Sequence, residues 1–286
     1  MQLLSFEESG RAHLGVRRGD AIVDLAKAAP GLPDTWPEVF AALLLSEVAK
    51  AAEGAADSAL RSPEEITLLP PIPRPPKILA IGLNYHAHAA EVGLAAPEHP
   101  IVFARYPLSF VGHDVPLLCP SASEQFDYEG ELVVVIGKGG RHIPAERALG
   151  HLAGFSVGND GSLRDFQFQT TQWTLGKNFD ASGSWGPHIA TVDEVPGAGD
   201  GLAITTRLNG EVVQAGNSSD MIFAVPALIA ALSEVMTLEP GDIILTGTPP
   251  GVGASRKPPL WMKPGDSVQV EIAGIGCLYN PVQAAV

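Results

Sequence analysis

The chain has 286 residues, of which 45% are hydrophobic and 17% charged, so it can bury a sizeable core and lacks the composition of a disordered protein. Its formal net charge of −14 repels the phosphate backbone, and we therefore expect no nucleic-acid partner. The same charge repels anionic substrates, so a site for one would need its own cations from a metal or from well-placed Arg and Lys side chains.

Two further features bear on location. Cys119 and Cys277 show no metal-ligand spacing, and two lone thiols are typical of a reducing compartment. The N-terminus lacks a basic segment followed by a long apolar run, and no stretch approaches the ~20 apolar residues that a membrane span needs. We expect a soluble, cytoplasmic protein without a membrane partner.

The first 75 residues are predicted to form a small N-terminal α/β domain. Residues 12–16 and 21–25 have the pattern of short strands joined by Gly turns, and the apolar positions of residues 36–56 recur at helical spacing. Five prolines within residues 70–76 favour an extended linker. We place a domain boundary at about residue 75.

The second predicted domain, residues 76–286, is rich in short β-like runs. They are ILAIG (78–82), ELVVVIG (131–137), LAITTRLNG (202–210), DIILTG (242–247) and SVQVEI (267–272). Helices are predicted at 144–151 and 221–236, and a short one at Ser162, where SLRD matches a capping box. Because strands and helices do not alternate regularly, we expect an α+β, mostly β fold, a mixed β-sandwich or β-roll.

The stretch FDYEGELVVVIG, residues 126–137, places Asp127, Glu129 and Glu131 at alternate positions. Side chains alternate across a strand, so Glu129 and Glu131 point to one side, roughly 7 Å apart. Carboxylates that close favour a divalent cation between them, Mg²⁺ or Mn²⁺. The alternative is an acidic solvent face, but the aliphatic run that follows indicates a strand covered on both sides.

A third oxygen ligand is suggested by Asp160, which follows an apolar strand in SVGNDGSLRD. A surface Asn-Asp-Gly turn is the commoner use of that tripeptide. In LNYHAHAAE, His88 and Glu91 are three residues apart, so on a helix the carboxylate would orient the imidazole as a general base. An ordinary surface contact is the alternative.

Two more segments carry candidate chemistry. Lys177 lies in WTLGKNFD, where a solvated loop lysine is the simpler interpretation. ILTGTPPGVG, residues 244–253, has Gly spacing but no following helix, so it is not a dinucleotide loop. It could present Thr248 and backbone N–H groups to a carboxylate, or it could be a surface turn.

The order of these motifs resembles the fumarylacetoacetate hydrolase family over residues 76–285. The motifs are LNYHAHAAE, IVFARYP, FDYEGELVVVIG, GNDGSLRDFQ, WTLGKNFDASGSWGP and LEPGDIILTGTPPGVG. The resemblance implies the β-fold of that family's C-terminal domain, and the N-terminal segment is similar to the small variable domain of many bacterial members.

The resemblance also implies roles for individual residues. Glu129, Glu131 and Asp160 match the family's ligands for Mg²⁺ or Mn²⁺, and Asp127 matches none. The implied catalytic residues are His88, Glu91 and Lys177. The implied substrate contacts are Arg105, Arg164, Gln167, Gly247 and Thr248. Arg105 stands where many members have Lys, and an Arg cannot serve as a proton donor or acceptor.

The implied activity is metal-dependent hydrolysis of a C–C bond in a 1,3-diketo acid of the acylpyruvate or fumarylpyruvate type, as in aromatic compound catabolism. In that interpretation His88, oriented by Glu91, deprotonates a water that attacks the distal carbonyl, and the metal and Lys177 hold the departing enolate. The alternatives are decarboxylation of a β-keto acid such as oxaloacetate, isomerisation of a 2-hydroxymuconate-type diene, or an inactive metal-binding homologue. The expected partners are a small anionic keto or diketo acid and a second copy in a homodimer.

Overall fold

The computed structural model describes residues 1–285, which form three β-sheets and seven α-helices. The strands are β1 (Gln2–Glu8), β2 (Arg11–Arg18), β3 (Ala21–Asp24), β4 (Leu60–Arg61), β5 (Thr67–Leu69), β6 (Ile78–Gly82), β7 (Ile101–Ala104), β8 (Phe110–Val111), β9 (Leu117–Cys119), β10 (Phe126–Asp127), β11 (Gly130–Ile136), β12 (Leu152–Asn159), β13 (Ser162–Leu163), β14 (Gly183–Thr191), β15 (Ala203–Leu208), β16 (Glu211–Asn217), β17 (Ile243–Leu245), β18 (Ser267–Ile272) and β19 (Gly276–Ala284). The α-helices are α1 (Leu25–Ala28), α2 (Trp36–Ala41), α3 (Leu45–Glu53), α4 (His86–Glu91), α5 (Arg164–Gln167), α6 (Thr174–Lys177) and α7 (Val225–Val235).

Twelve strands form one large mixed sheet, in the order β4-β3-β2-β1-β14-β12-β11-β17-β6-β7, with β5 on β1 and β8 on β14. A second sheet has the order β16-β15-β18-β19-β9, and β10 pairs with β13. Strands β15, β18 and β19 pack on β11 and β12, which makes a sandwich of the two larger sheets. The predicted α+β, mostly β fold is confirmed.

Strand β11 lies between two apolar cores. Leu132, Val134 and Ile136 belong to the core shared with the second sheet and α7. Val133 and Val135 belong to the core shared with the N-terminal helices α2 and α3. Every residue of β11 is buried, so the prediction of a strand covered on both sides is confirmed.

The N-terminal segment shares its sheet and its core with the rest of the chain. Strand β1 pairs with β14 through Leu3 and Ile189, and the indole Nε1 of Trp36 donates to the carbonyl of Leu4 at 3.1 Å. The boundary at about residue 75 therefore stays a prediction from the sequence, and no break in the sheet accompanies it.

The helical spacing over residues 36–56 is accompanied by helices, but the segment forms two of them, α2 and α3, with a turn between them. Leu43 has a φ of 57°, and the N–H of Leu44 donates back to the carbonyl of Val39 at 3.1 Å. This six-to-one hydrogen bond with a left-handed residue is the usual way in which a helix ends. Hydrophobic spacing cannot detect it when the left-handed residue is a leucine.

The capping box predicted at Ser162 is wrong. The hydroxyl of Ser162 donates to the carbonyl of Asp160 at 2.8 Å, and α5 begins at Arg164 without a side-chain cap. The helix predicted at 144–151 is a 3₁₀-helix, Ala145–His151, whereas α7 carries Pro226 in its first turn as expected. None of the helices in residues 1–285 has both the length and the apolar character that a membrane crossing requires.

His188 on β14 ties the large sheet to the turn before β19. Its Nε2–H donates to the carbonyl of Ile275 at 2.9 Å, and only 5% of the residue is exposed. Burial lowers the pKa of His188 to about 4. Between this value and the ordinary value near 6.5 the unfolded chain holds a proton that the folded chain lacks, so stability rises with pH across that window.

We predict that His188→Gln flattens the pH dependence of the unfolding free energy between about pH 4 and 6.5. The slope of unfolding free energy against pH should fall by an amount that approaches one bound proton, or about 1.4 kcal/mol per pH unit. Urea unfolding at half-unit pH steps measures it, with the exposed His99→Gln as the matched control. If unfolding free energy changes with pH equally in the two variants, His188 is not the source of the pH dependence.

Candidate active site

Three carboxylates converge where β11 begins and β12 ends. Glu129 immediately precedes β11, Glu131 is its second residue, and Asp160 directly follows β12. The two strands are antiparallel, with Gly130 opposite Asn159, so the three side chains arrive at one place. One oxygen from each lies within 4.8 Å of the others, and all three residues are buried.

Backbone contacts fix this convergence. The N–H of Asp160 donates to the carbonyl of Glu129 at 2.8 Å, and the N–H of Glu129 donates to Oδ1 of Asn159 at 3.0 Å. Because these bonds involve the backbone beside the acids, the carboxylate oxygens stay available for other partners.

Basic side chains from three other segments offset part of the negative charge. Lys177 Nζ lies 2.7 Å from Glu129 Oε2 and 2.6 Å from Asp160 Oδ2, and Arg164 Nη2 lies 2.7 Å from Glu129 Oε1. Arg105 pairs with Asp160 Oδ1. Burial opposes ionisation of Glu129, but the charges of Lys177 and Arg164 outweigh it and lower the pKa of Glu129 to about 2.

Glu131 has no such cation. Within residues 1–285 no basic side chain forms an ion pair with it, and its Oε2 accepts from the N–H of Gly247 at 2.7 Å. Burial, followed by the charges of Asp160 and Glu129, raises the pKa of Glu131 well above its ordinary range. A buried all-oxygen donor set with uncompensated negative charge fits Mg²⁺ or Mn²⁺.

A second group of potential ligands, Glu8, His13 and Asp24, lies in the N-terminal segment. Arg61 is already paired with Glu8 at 2.8 Å and with Asp24 at 3.4 Å. This group is therefore charge-compensated, and the cluster around Glu131 is the better cation site.

The predicted contact between His88 and Glu91 is present on α4. His88 Nδ1 lies 2.9 Å from Glu91 Oε2. The other oxygen of Glu91 accepts from the N–H of Gly251 at 2.8 Å and from the hydroxyl of Ser255 at 2.7 Å. The 251–255 loop therefore holds the oxygen of Glu91 that does not contact His88.

Part of this site opens into a cavity of about 180 Å³. His88, Glu129, Glu131 and Lys177 all line it. The remaining lining residues are Ile81, Gly82, Leu83, Val92, Leu94, Ile101, Phe103, Arg164, Gln167, Phe168, Trp173, Thr248, Val252 and Ala254. Most of these residues are apolar, so the carboxylates share the cavity with a surface that is less polar than water and strengthens electrostatic interactions.

The structure places Arg105 differently from the sequence prediction of a substrate contact. Its side chain is fully buried outside the cavity lining, and its guanidinium stacks 4.3 Å from the centre of the Phe110 ring. Its donors meet Asp160 and the hydroxyl of Ser182, the latter at 3.0 Å. Spacing in the sequence showed the charge but not this packing, which favours a role in orienting Asp160.

Of the other predicted substrate contacts, Arg164, Gln167 and Thr248 line the cavity. Thr248 Oγ1 donates to the carbonyl of Gly130 at 3.0 Å and accepts from Gln214 Nε2 at 2.8 Å, so its hydroxyl is already engaged. Gly247 has a φ of 101° and uses its N–H on Glu131, which makes it a support for a carboxylate.

Two supporting residues were missed. Gln214 also accepts from the N–H of Gly130 at 2.9 Å, and nothing in its own sequence context indicated this. Asp127 was left without a role although it alternates with the two glutamates, a signal that would have placed it beside them.

Residues 77–283 match the family model described as Fumarylacetoacetate (FAA) hydrolase C-terminal. The chain belongs to the fumarylacetoacetate hydrolase family, as its motifs predicted.

Similar proteins of this family include two oxaloacetate tautomerases. One is the human protein named Oxaloacetate tautomerase FAHD2A, mitochondrial, 42% identical over 278 residues that cover 94% of this chain and 87% of that protein. The other, Oxaloacetate tautomerase YisK of Bacillus subtilis (strain 168), is 43% identical over 245 residues, which cover 83% of this chain and 80% of that protein.

A similar solved structure is maleylpyruvate hydrolase from Sphingobium sp. SYK-6 in complex with manganese (II) ion and pyruvate. It has a TM-score of 0.82, is 28% identical, and the match covers 100% of both chains. Relatives of this chain are thus enzymes that are named as tautomerases and hydrolases, and one of them binds a divalent metal.

We predict that Glu131→Gln weakens Mn²⁺ binding by on the order of 100-fold or more, because a ligand should matter at least as much as its supporting hydrogen bonds. The amide keeps an oxygen for the N–H of Gly247. Calorimetric titration of the metal-free protein with MnCl₂ measures the effect, and the exposed Glu124→Gln is the control. Indistinguishable affinities would remove Glu131 from the ligand set.

Proposed function

We propose that the protein catalyses keto–enol tautomerisation of an oxaloacetate-like 2-keto acid at the Glu129–Glu131–Asp160 site, with Mg²⁺ or Mn²⁺ as cofactor. The observation that carries the proposal is that His88, hydrogen-bonded to Glu91, shares one small cavity with Glu129, Glu131 and Lys177. The names of the relatives at 42% and 43% identity support this reaction over the hydrolysis that the motifs first suggested.

The first residue in the reaction is His88. A carboxylate only accepts hydrogen bonds, so Nδ1 of His88 carries the proton in its contact with Glu91 and Nε2 is free to act as the base. His88 would take a proton from C3 of the keto acid, the C–H electron pair would form the C2=C3 bond, the π pair of the keto group would move onto its oxygen, and that oxygen would take the proton back from His88.

The remaining residues bind and balance charge. When bound, the cation supplies a Lewis acid that polarises the 2-keto group. Lys177 is positioned by Glu129 and Asp160 and provides a positive charge beside the oxygen that becomes electron-rich. Arg164 and Gln167, which contact each other at 2.8 Å, are our candidates for holding the substrate carboxylate, together with the backbone of Thr248.

Hydrolysis of a 1,3-diketo acid is the second candidate function, and it is favoured by the likeness to maleylpyruvate hydrolase. There His88 would deprotonate a water rather than the substrate, and the bond between the two carbonyl units would break. Decarboxylation of a β-keto acid and isomerisation of a dienoate need the same stabilised enolate, so the arrangement of charges is compatible with both.

One substrate experiment separates these functions. The protein with Mg²⁺ or Mn²⁺ is given oxaloacetate while the ultraviolet band of the enol, CO₂ and pyruvate are followed, and acylpyruvates are assayed for release of two acids. We expect the enol band to relax faster than in buffer, without matching CO₂. Equimolar release of two acids, with no effect on oxaloacetate, would establish hydrolysis instead. Inactivity in every assay would support the inactive metal-binding homologue.

We predict that His88→Gln lowers kcat by about 10²- to 10⁴-fold, the usual contribution of a general base, with a much smaller change in KM. The matched control is His86→Gln, which alters an exposed histidine on the same helix. Full turnover by His88→Gln would show that another group moves the proton.

We also infer a homodimer. Strand β7 is the last strand of the large sheet, and Ile101 and Val102 on it are 36% and 42% exposed, which leaves an apolar edge available for a second copy. Light scattering should give the mass of two chains, and Val102→Lys should shift it towards one. A monomeric mass for the unaltered chain would refute the inference.

A cytoplasmic location is proposed because Cys119 and Cys277 are both free thiols. Cell fractionation is the test, and the alternative is the mitochondrion, which the name of the human relative gives for that protein.

A further inference from the structure

We propose that Asp127 is a positioning residue that couples the two halves of the site, the carboxylate cluster and the His88–Glu91 pair. Only the kinetic consequence of this coupling rests on the proposed function. Asp127 does not touch the cavity, and the carboxylates that could share a cation do not include it.

One side of the coupling runs through Arg164. Oδ2 of Asp127 accepts from Nε of Arg164 at 2.8 Å and forms an ion pair with Nη2 at 2.8 Å, and the same Nη2 lies 2.7 Å from Glu129 Oε1. The planar guanidinium is thereby held in one orientation between the two carboxylates. Without Asp127, Arg164 would keep its contact with Glu129 but lose the group that orients it, so its guanidinium could turn further towards Glu129 and compete with a cation for those oxygens.

The other side runs through the 251–255 loop. The N–H of Gly253 donates to Oδ1 of Asp127 at 2.7 Å, and the N–H of Ala254 donates to Oδ2 at 3.0 Å. A Cβ at position 253 would lie 2.6 Å from Oδ1 of Asp127 and 1.8 Å from the carbonyl oxygen of Leu260, so glycine is what permits this close approach. The 251–255 loop therefore packs directly against the carboxylate of Asp127.

The 251–255 loop in turn fixes the position of the proposed base, His88, through Glu91. Its Gly251 N–H and its Ser255 hydroxyl both donate to Oε1 of Glu91, whose other oxygen holds His88. No hydrogen bond joins Arg164 directly to this loop in the described part of the chain. Asp127 is thus the group through which the position of Arg164 and the position of His88 depend on each other.

Complete burial makes this dependence strong. Asp127 is 0% exposed, and a further bond from the N–H of Tyr128 at 2.9 Å completes the set of donors around its oxygens. A buried carboxylate with every acceptor site occupied has no water to replace a lost partner, so a change on one side is transmitted to the other.

The test uses Asp127→Asn and two measurements that need no substrate. The first is calorimetric titration with MnCl₂, and we expect the dissociation constant to rise by about 10- to 100-fold, the usual effect of disturbing a group that orients a ligand. The second is hydrogen exchange, read by mass spectrometry, of the peptide that covers residues 251–255, and we expect exchange to become at least tenfold faster.

The matched control is Asp242→Asn. Asp242 is equally buried, accepts from the N–H of Glu239 at 2.7 Å and is paired with Lys77 at 3.0 Å, but it lies outside the cavity. It should leave both measurements at their wild-type values. If Asp127→Asn changes neither quantity, only one of them, or both no more than Asp242→Asn does, the coupling is refuted.

A second variant keeps the proposal testable if Asp127→Asn does not fold. Arg164→Lys keeps a positive charge but loses the planar fork, and we expect it to accelerate exchange at residues 251–255, which Arg164 does not itself bond. Unchanged exchange in a folded Arg164→Lys protein would refute the coupling. Because neither measurement involves turnover, failure of the tautomerase assay would overturn the proposed function and leave this inference standing.

Discussion

The site depends on the burial of three carboxylates at one end of a strand pair. Glu129, Glu131 and Asp160 cannot all remain ionised in a low-dielectric interior unless positive charge lies beside them. Lys177 and Arg164 come from two short helices, and Arg105 comes from the segment after β7. Three separate parts of the chain therefore supply positive charge to the same carboxylates. The protein cations leave Glu131 uncompensated, and this defines where a divalent ion would be stabilised.

The same arrangement explains why one site could serve several reactions. Under the proposed function, a cation held by the carboxylate cluster, together with Lys177, would stabilise negative charge on the oxygens of a keto acid whichever bond changes. In the mechanism we propose, the outcome would then depend on what His88 deprotonates, carbon in a tautomerase or water in a hydrolase. Phe103 and Trp173, which pack edge to face at 5.4 Å between ring centres, add an apolar surface to the same cavity.

Sequence predicted most where the physical rule is local. Alternation along FDYEGELVVVIG placed Glu129 and Glu131 on one side of a strand that is buried on both faces, and both features are present. Local rules failed where a tertiary contact competed with them. The hydroxyl of Ser162 bonds the carbonyl of Asp160 instead of capping a helix, and Leu43 ends a helix in a left-handed conformation that its side chain does not signal. Neither the packing of Arg105 behind Asp160 nor the bonds of Asp127 to a loop more than a hundred residues away could be predicted from spacing, because both depend on the complete fold.

The central claim is that a divalent cation binds among Glu129, Glu131 and Asp160. Anomalous diffraction from crystals grown with MnCl₂ tests it most directly. The account predicts one strong manganese peak coordinated by an oxygen of each of these three side chains. A peak only beside Glu8, His13 and Asp24, or no peak while Lys177 stays bonded to both Glu129 and Asp160, would contradict it.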